Sequence, residues 1–244
     1  MRWCCTILQV CLLTGPAAAQ IPDLGAFAGG RDGETSGQII QLFGLLTILA
    51  IAPGALVVVT SFTRFIIAFS ILRMGLGLQT TPANLILISL AMFMTFYVMA
   101  PTFDRAWNNG MQPLINNEIE EAEALNRMAS PFKDFMLRNV REKDLELFAD
   151  LARERDPTAT LAQEPGLRTI VPAFMISEIR RGFEIGFLIL VPFLVIDLIV
   201  ATITMAMGMM MLPPTVVALP FKILFFILVD GWNLLVGGMV RSFL

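Results

Sequence analysis

Apolar and charged positions fall in long blocks along this chain. From Ile39 to Thr63 there are 25 residues without a charge, enough for one bilayer crossing at about 1.5 Å per residue. Pro53-Gly54 lies inside that run and predicts a kink. Arg64 and Arg73 are then the only charges before Phe103. Gly75, Gly77 and Thr81-Pro82 mark a turn. Asn84 to Ala100 forms a second apolar segment, ended by Pro101. Residues 38–101 therefore read as an N-terminal hydrophobic hairpin.

The pattern changes over 102–168. That stretch holds 13 acidic and 9 basic residues, punctuated by Pro113, Pro131, Pro157 and Pro165. Phe135, Leu145, Phe148 and Leu151 recur at helical spacing, which predicts amphipathic helices packed on another element. The short Arg64/Arg73 connection is the more basic side. The positive-inside rule places it in the cytoplasm and the acidic region on the far side.

Residues 169–244 predict a C-terminal helical hairpin. Ile185 to Ile196 is apolar, Asp197 interrupts, and Leu198 to Phe221 is apolar again before Lys222. Pro213-Pro214 cannot continue a helical hydrogen-bond ladder, so the chain is expected to break and reverse there. In a hairpin with its apex between Met209 and Met210, Asp197 and Lys222 lie at equal depth, each about 18 Å from the tip. An acid and a base at matching depth in apolar surroundings favour pairing; separate snorkelling to an interface is the alternative. Upstream, Glu178 with Arg181 and Arg180 with Glu184 have the spacing of helix-surface ion pairs. Glu178 could instead reach a neighbouring subunit. At the tip, Met205, Met207, Met209, Met210 and Met211 put five methionines in seven residues. Their unbranched, polarizable side chains can repack around differently shaped partners.

Composition sharpens this picture. With 56% hydrophobic and 15% charged residues and a mean hydropathy of +0.74, the chain has the balance of an integral membrane protein. Arg2, the apolar stretch Trp3 to Leu13 and Ala17-Ala18-Ala19 have the layout of a signal peptide over 1–19, cleaved after about Ala19. Residues 20–37, rich in Gly, Ala and Asp, then form a flexible mature N-terminus. All three cysteines (Cys4, Cys5, Cys11) lie in the signal segment, and the sequence contains no histidine. Thiolate or imidazole chemistry is thus not expected in the mature chain, nor is a metal site. No phosphate loop or serine elbow substitutes, so the chain reads as a non-enzyme without cofactors.

Several ordered motifs carry a resemblance. Thr60-Ser61-Phe62-Thr63-Arg64, Thr80-Thr81-Pro82-Ala83-Asn84, Phe135-Met136-Leu137-Arg138 and Asp144-Leu145-Glu146-Leu147-Phe148 resemble segments of the FliP family of flagellar export-gate proteins. Val171 to Glu178, Pro192 to Asp197, Met207 to Pro214, Ala218 to Lys222 and Val229-Asp230-Gly231-Trp232 continue the likeness. The resemblance implies an all-α membrane protein of kinked helices and hairpins, several copies of which form a helical, channel-like assembly. It further implies an inner-membrane location in the flagellar basal body, Q- and R-type gate partners, and A- and B-type export components beneath. The cargo it implies is unfolded flagellar protein. In that setting the five methionines match a gasket at the constriction. Glu178, Asp197, Lys222 and Asp230 become structural or inter-subunit charges, the last three buried against neighbouring protomers.

Other readings bear on the same residues. The related R-type proteins of virulence secretion share the motifs, although the signal peptide and the Met-Gly-Met-Met-Met run resemble the flagellar branch more. An ion-coupled transporter could use Asp197, Lys222 and Asp230 as a relay, but no inverted repeat accompanies them. An assembly scaffold that lines no path is a third reading.

Overall fold

The long apolar blocks, rich in Leu, Ile, Met and Phe without period-two alternation, fold as helices. The structure is a computed structural model that describes residues 42–44, 46–47, 50–51, 54, 56–78, 80–155, 165–208 and 213–243. No strand occurs among the described residues. The chain divides into two compact units, one up to Pro53 and one from Gly54. In the first, the described residues between 42 and 51 are helical, and Thr47 Oγ1 donates to the Phe43 carbonyl at 2.7 Å. The expected signal peptide, the residues that follow it up to 37, and Pro53 all lie outside the described residues. Gly54 is helical and exposed.

In the second unit the helices are α1 (Phe62–Gly75), α2 (Asn84–Ala106), α3 (Glu121–Asn139), α4 (Glu142–Arg155), α5 (Leu167–Ala206), α6 (Pro214–Leu228) and α7 (Gly231–Arg241). The spine is α5, whose 40 residues span about 60 Å. Against it α1 runs parallel. Ile67 packs over Gly182, Ile71 over Gly186, and Gly75 against Leu190 and Phe193. The register is constant along the whole contact. A Cβ added at Gly186 would lie 2.2 Å from Ile71 Cδ1, so the glycines let a β-branched ridge approach the α5 backbone. α1 ends at Gly77, whose positive φ of 76° lets its N–H reach the Met74 carbonyl, while Leu78 N–H reaches that of Arg73. This is a Schellman stop.

Two apolar clusters surround these helices. Phe65, Ala68, Phe69 and Leu72 of α1 meet Leu87 and Ala91 of α2, Phe193 of α5, Phe226 of α6 and Met239 of α7. Met99, Phe135, Met136, Ile170 and Phe174 form the second cluster, where α2, α3 and α5 meet. Phe243 joins the two, with its ring centroid 5.8 Å from Phe65 and 6.0 Å from Phe135.

One boundary differs from the sequence reading. α2 does not stop at Pro101; it runs through it, then through a π-helical stretch Trp107–Met111 and a last turn Gln112–Ile115. A proline removes one backbone donor. Burial of Met99, Thr102 and Ala106 on one face keeps the helix going past that loss. The hydrophobic and charged regions are therefore continuous across 101/102. In the π stretch, Gly110 lies so close to α3 that an added Cβ would be 2.9 Å from the Met128 backbone nitrogen. The amphipathic reading of 102–168 holds for Phe135, which is buried, and for Leu145, which packs on the second cluster. Leu151 stays exposed.

Asn84–Ile115 and Leu167–Ala206 are each long and apolar enough to cross a membrane. α6 and α7, bent by 62° at Asp230, would make a third crossing if they act as one broken span. Replacing Gly186 with Leu should overpack the α1–α5 seam and lower stability by about 1–3 kcal/mol or more. Gly238→Ala, at a position open to space, should be neutral or mildly stabilising. Thermal unfolding of the two variants in the same detergent separates the outcomes.

Candidate functional site

The α1–α5 seam carries a charge at each end. Near the start of α1, Arg64 is fully buried, and so is Glu178 on α5. Arg64 Nε donates to Glu178 Oε2 at 2.9 Å, and Nη2 donates to Oε1, a bidentate pair. The remaining nitrogen, Nη1, donates to Ser242 Oγ at 2.7 Å and to the Ser242 carbonyl at 3.3 Å. The guanidinium lies 3.5 Å from the Phe243 ring centroid. One planar cation therefore ties α1, α5 and the end of the chain together, a task suited to arginine and not to lysine.

Glu178 is thus not the helix-surface partner of Arg181 that helical spacing suggests. It faces inward because Arg64, embedded in an apolar helix, needs a carboxylate there. Arg180 and Glu184 do form the exposed pair, at 2.9 Å. Beside Glu178, Ser177 Oγ lies 2.7 Å from Asp144 Oδ2 and 2.9 Å from the Ala173 carbonyl, and accepts from the Arg141 backbone N–H at 3.1 Å. A hydroxyl has one proton, and the carboxylate at the shorter distance is the stronger acceptor. These bonds dock the start of α4 onto α5 next to the ion pair.

At the far end of the seam, the structure brings Asp197 and Lys222 together. Lys222 Nζ donates to Asp197 Oδ2 at 2.6 Å and to the Gly75 carbonyl at 2.9 Å. The Gly75 carbonyl belongs to the last turn of α1, where backbone acceptors lack helical partners and a cation is favoured. Lys222 therefore closes the hairpin and caps α1 at once. Asp197 Oδ1 is buried without a partner among the described residues.

Above this pair the hairpin arms enclose an apolar cavity of about 370 Å³ walled by Val200, Ile203, Thr204, Met207, Val217 and Phe221. Met205 and Met207 are 61% and 59% exposed. Met209, Met210 and Met211 lie outside the described residues. α5 stops at Ala206, ahead of the prolines, with Gly208 at φ +73° donating to the Met205 carbonyl. The prolines open the next helix instead: Pro213 is the N-cap of α6 and Pro214 its first residue, where a missing N–H costs nothing.

Asp230 is exposed at the α6–α7 bend, with a left-handed backbone (φ 49°, ψ 51°). Its side chain makes no ion pair among the described residues. Gly231 follows it because an added Cβ would sit 2.3 Å from the Phe226 ring. Spacing along the chain missed Arg64, Gly182, Gly186, Ser177, Asp144 and Ser242. A lone arginine in an apolar run was the available signal, since such a charge demands a partner.

These elements span the same stretch that a model of the FliP family matches, residues 45–239. The chain belongs to the FliP family. It is 62% identical to the flagellar biosynthetic protein FliP of Rhizobium meliloti strain 1021, over all of both chains. The protein of that name from Agrobacterium fabrum is also 62% identical, across all of this chain and 99% of the relative. That of Bacillus subtilis strain 168 is 47% identical, across 87% of this chain and 95% of the relative.

In this FliP-family chain the two pairs differ in burial, and so in what their loss costs. Glu178→Ala strands a fully buried guanidinium and should destabilise by about 3–5 kcal/mol. Asp197→Ala leaves Lys222 its Gly75 contact, and Asp197 is 30% exposed, so about 1–3 kcal/mol is expected. Asp197→Ala/Lys222→Met should cost less than Asp197→Ala. Denaturant unfolding in detergent, followed by circular dichroism, ranks the three.

Proposed function

We propose that this chain is a core subunit of the flagellar protein export gate. Several copies, with Q- and R-type partners, form an inner-membrane conduit for unfolded flagellar proteins, above A- and B-type export components. The observation that carries the reading is the C-terminal hairpin. Its base is locked by the Asp197–Lys222–Gly75 contacts, while Met205 and Met207, toward its end, are exposed beside an apolar cavity. The curated relatives are named for flagellar biosynthesis, which favours the flagellar branch over the virulence R-type branch.

Rigidity at the base and softness at the tip suit a passive gasket. Flexible thioethers from several copies can close on one another and later wrap a passing polypeptide without exposing polar atoms. The apolar surface of α5, most of which is left open in one chain, supplies area for lipid or for further copies. An ion relay is a poorer fit, because Asp197 and Lys222 neutralise each other and Asp230 stands apart at the α6–α7 bend.

Changing Met205, Met207, Met209, Met210 and Met211 together to alanine should preserve assembly but raise ion leakage. Membrane potential and conductance, measured beside native mass of the extracted complex, test this. Unchanged conductance in an intact complex would remove the gasket role. An isolated monomer that never associates with Q- or R-type partners would remove the export-gate reading itself.

A further inference from the structure

A second cluster of cations lies outside the seam. Where α2, α3 and α5 meet the end of the chain, a cavity of about 470 Å³ is lined by Arg105, Arg138 and Arg181, with Thr102, Asn139 and Ser242 among its polar walls. Among the described residues, no carboxylate lines it. Of the two acids three positions from Arg181, Glu178 has both oxygens bonded to Arg64 and Glu184 pairs with Arg180. Arg138 and Arg181 make no hydrogen bond or ion pair among the described residues, and Arg105 uses only Nε, on the Pro101 carbonyl at 3.2 Å. Thr102 is only 1% exposed, yet its hydroxyl has no hydrogen-bond partner among the described residues. Buried hydroxyls are ordinarily partnered, and three like charges around one cavity repel unless an anion sits between them.

The position of the cavity along the helices selects the anion. Arg105 follows the apolar segment Asn84 to Ala100, and Arg181 precedes the apolar segment that starts at Ile185. One turn before Pro101, Tyr97 is 70% exposed; two turns after Arg181, Leu188 is 71% exposed. The cationic cavity thus stands where charged surface gives way to exposed apolar surface on both helices that are long enough to span. We propose that it binds the phosphate of an anionic phospholipid headgroup. Arg138 and Arg181 supply forked donors, Thr102 supplies the buried hydroxyl, and the acyl chains lie along the apolar faces. Basic pockets between membrane helices hold acidic headgroups by this chemistry. A free phosphate would use the cations and leave the apolar faces bare.

The test uses the full chain in a non-ionic detergent, titrated separately with phosphatidylglycerol, phosphatidylcholine and inorganic phosphate. Bound lipid is counted by native mass spectrometry, and the unfolding midpoint is followed alongside. Phosphatidylglycerol should be retained and should raise the midpoint; phosphatidylcholine and inorganic phosphate should not. Arg138→Gln/Arg181→Gln should weaken phosphatidylglycerol binding about tenfold or more, the loss expected for a charge-assisted contact. Among the described residues neither arginine has a hydrogen-bond or ion-pair partner to strand, so the variant should keep wild-type helical content. Arg180→Gln, on the exposed α5 pair, should bind lipid as the unaltered chain does. Equal retention of phosphatidylcholine, an equal loss in Arg180→Gln, or an equal midpoint shift from inorganic phosphate would each overturn the proposal. So would a double variant that keeps its lipid but loses an acidic protein partner.

Discussion

Arg64 is the constraint on which the second unit depends. An arginine in an apolar helix has to be desolvated, and that cost is offset only by a carboxylate in bidentate geometry with its other donors satisfied. Glu178 and Ser242 meet both conditions. The consequence is geometric: once Arg64 is locked to Glu178, α1 can lie along α5 in one register only. A slip of one turn, about 5.4 Å, would separate the pair. It would also drive Ile67 and Ile71 off the Gly182 and Gly186 notches. The same register delivers the Gly75 carbonyl to Lys222 at the other end, so two ion pairs and two glycine notches specify a single arrangement.

That arrangement divides the molecule into a fixed part and a yielding part. α1 sits inside a ring of helices, with Phe65, Ala68 and Phe69 fully buried. Beyond Lys222 the contacts thin, and the hairpin arms enclose empty apolar volume. The helix endings there follow from local chemistry, a left-handed glycine to stop α5 and a proline to start α6. In the export gate proposed above, such a chain would hold its position through the fixed part while the methionines of the tip adapt.

Much of this was legible in the sequence, and the misses share a cause. Asp197 and Lys222 could be paired on paper because a hairpin makes depth a function of distance from one apex. Arg64 and Glu178 are 114 positions apart on parallel helices, so no turn relates them and spacing cannot match them. Local periodicity offered Glu178 only Arg181. Pro101 misled for a related reason. The effect of a proline depends on where it falls in a helix and on what the neighbouring face buries, and tertiary packing decides the second of these. Gly182 and Gly186 carry no signal of their own until Ile67 and Ile71 are seen above them.

The α1–α5 register can be measured directly by disulfide pairing, after Cys4, Cys5 and Cys11 have been replaced. An ideal Cβ at Gly182 lies 3.0 Å from Ile67 Cβ, close to the Cβ separation of about 3.5–4.5 Å that a disulfide spans. Ile67→Cys/Gly182→Cys should oxidise to an intramolecular disulfide in the membrane, while Ile67→Cys/Gly186→Cys, one turn out of register, should stay reduced. Bridging of 67 with 186, or of neither pair, would contradict the account.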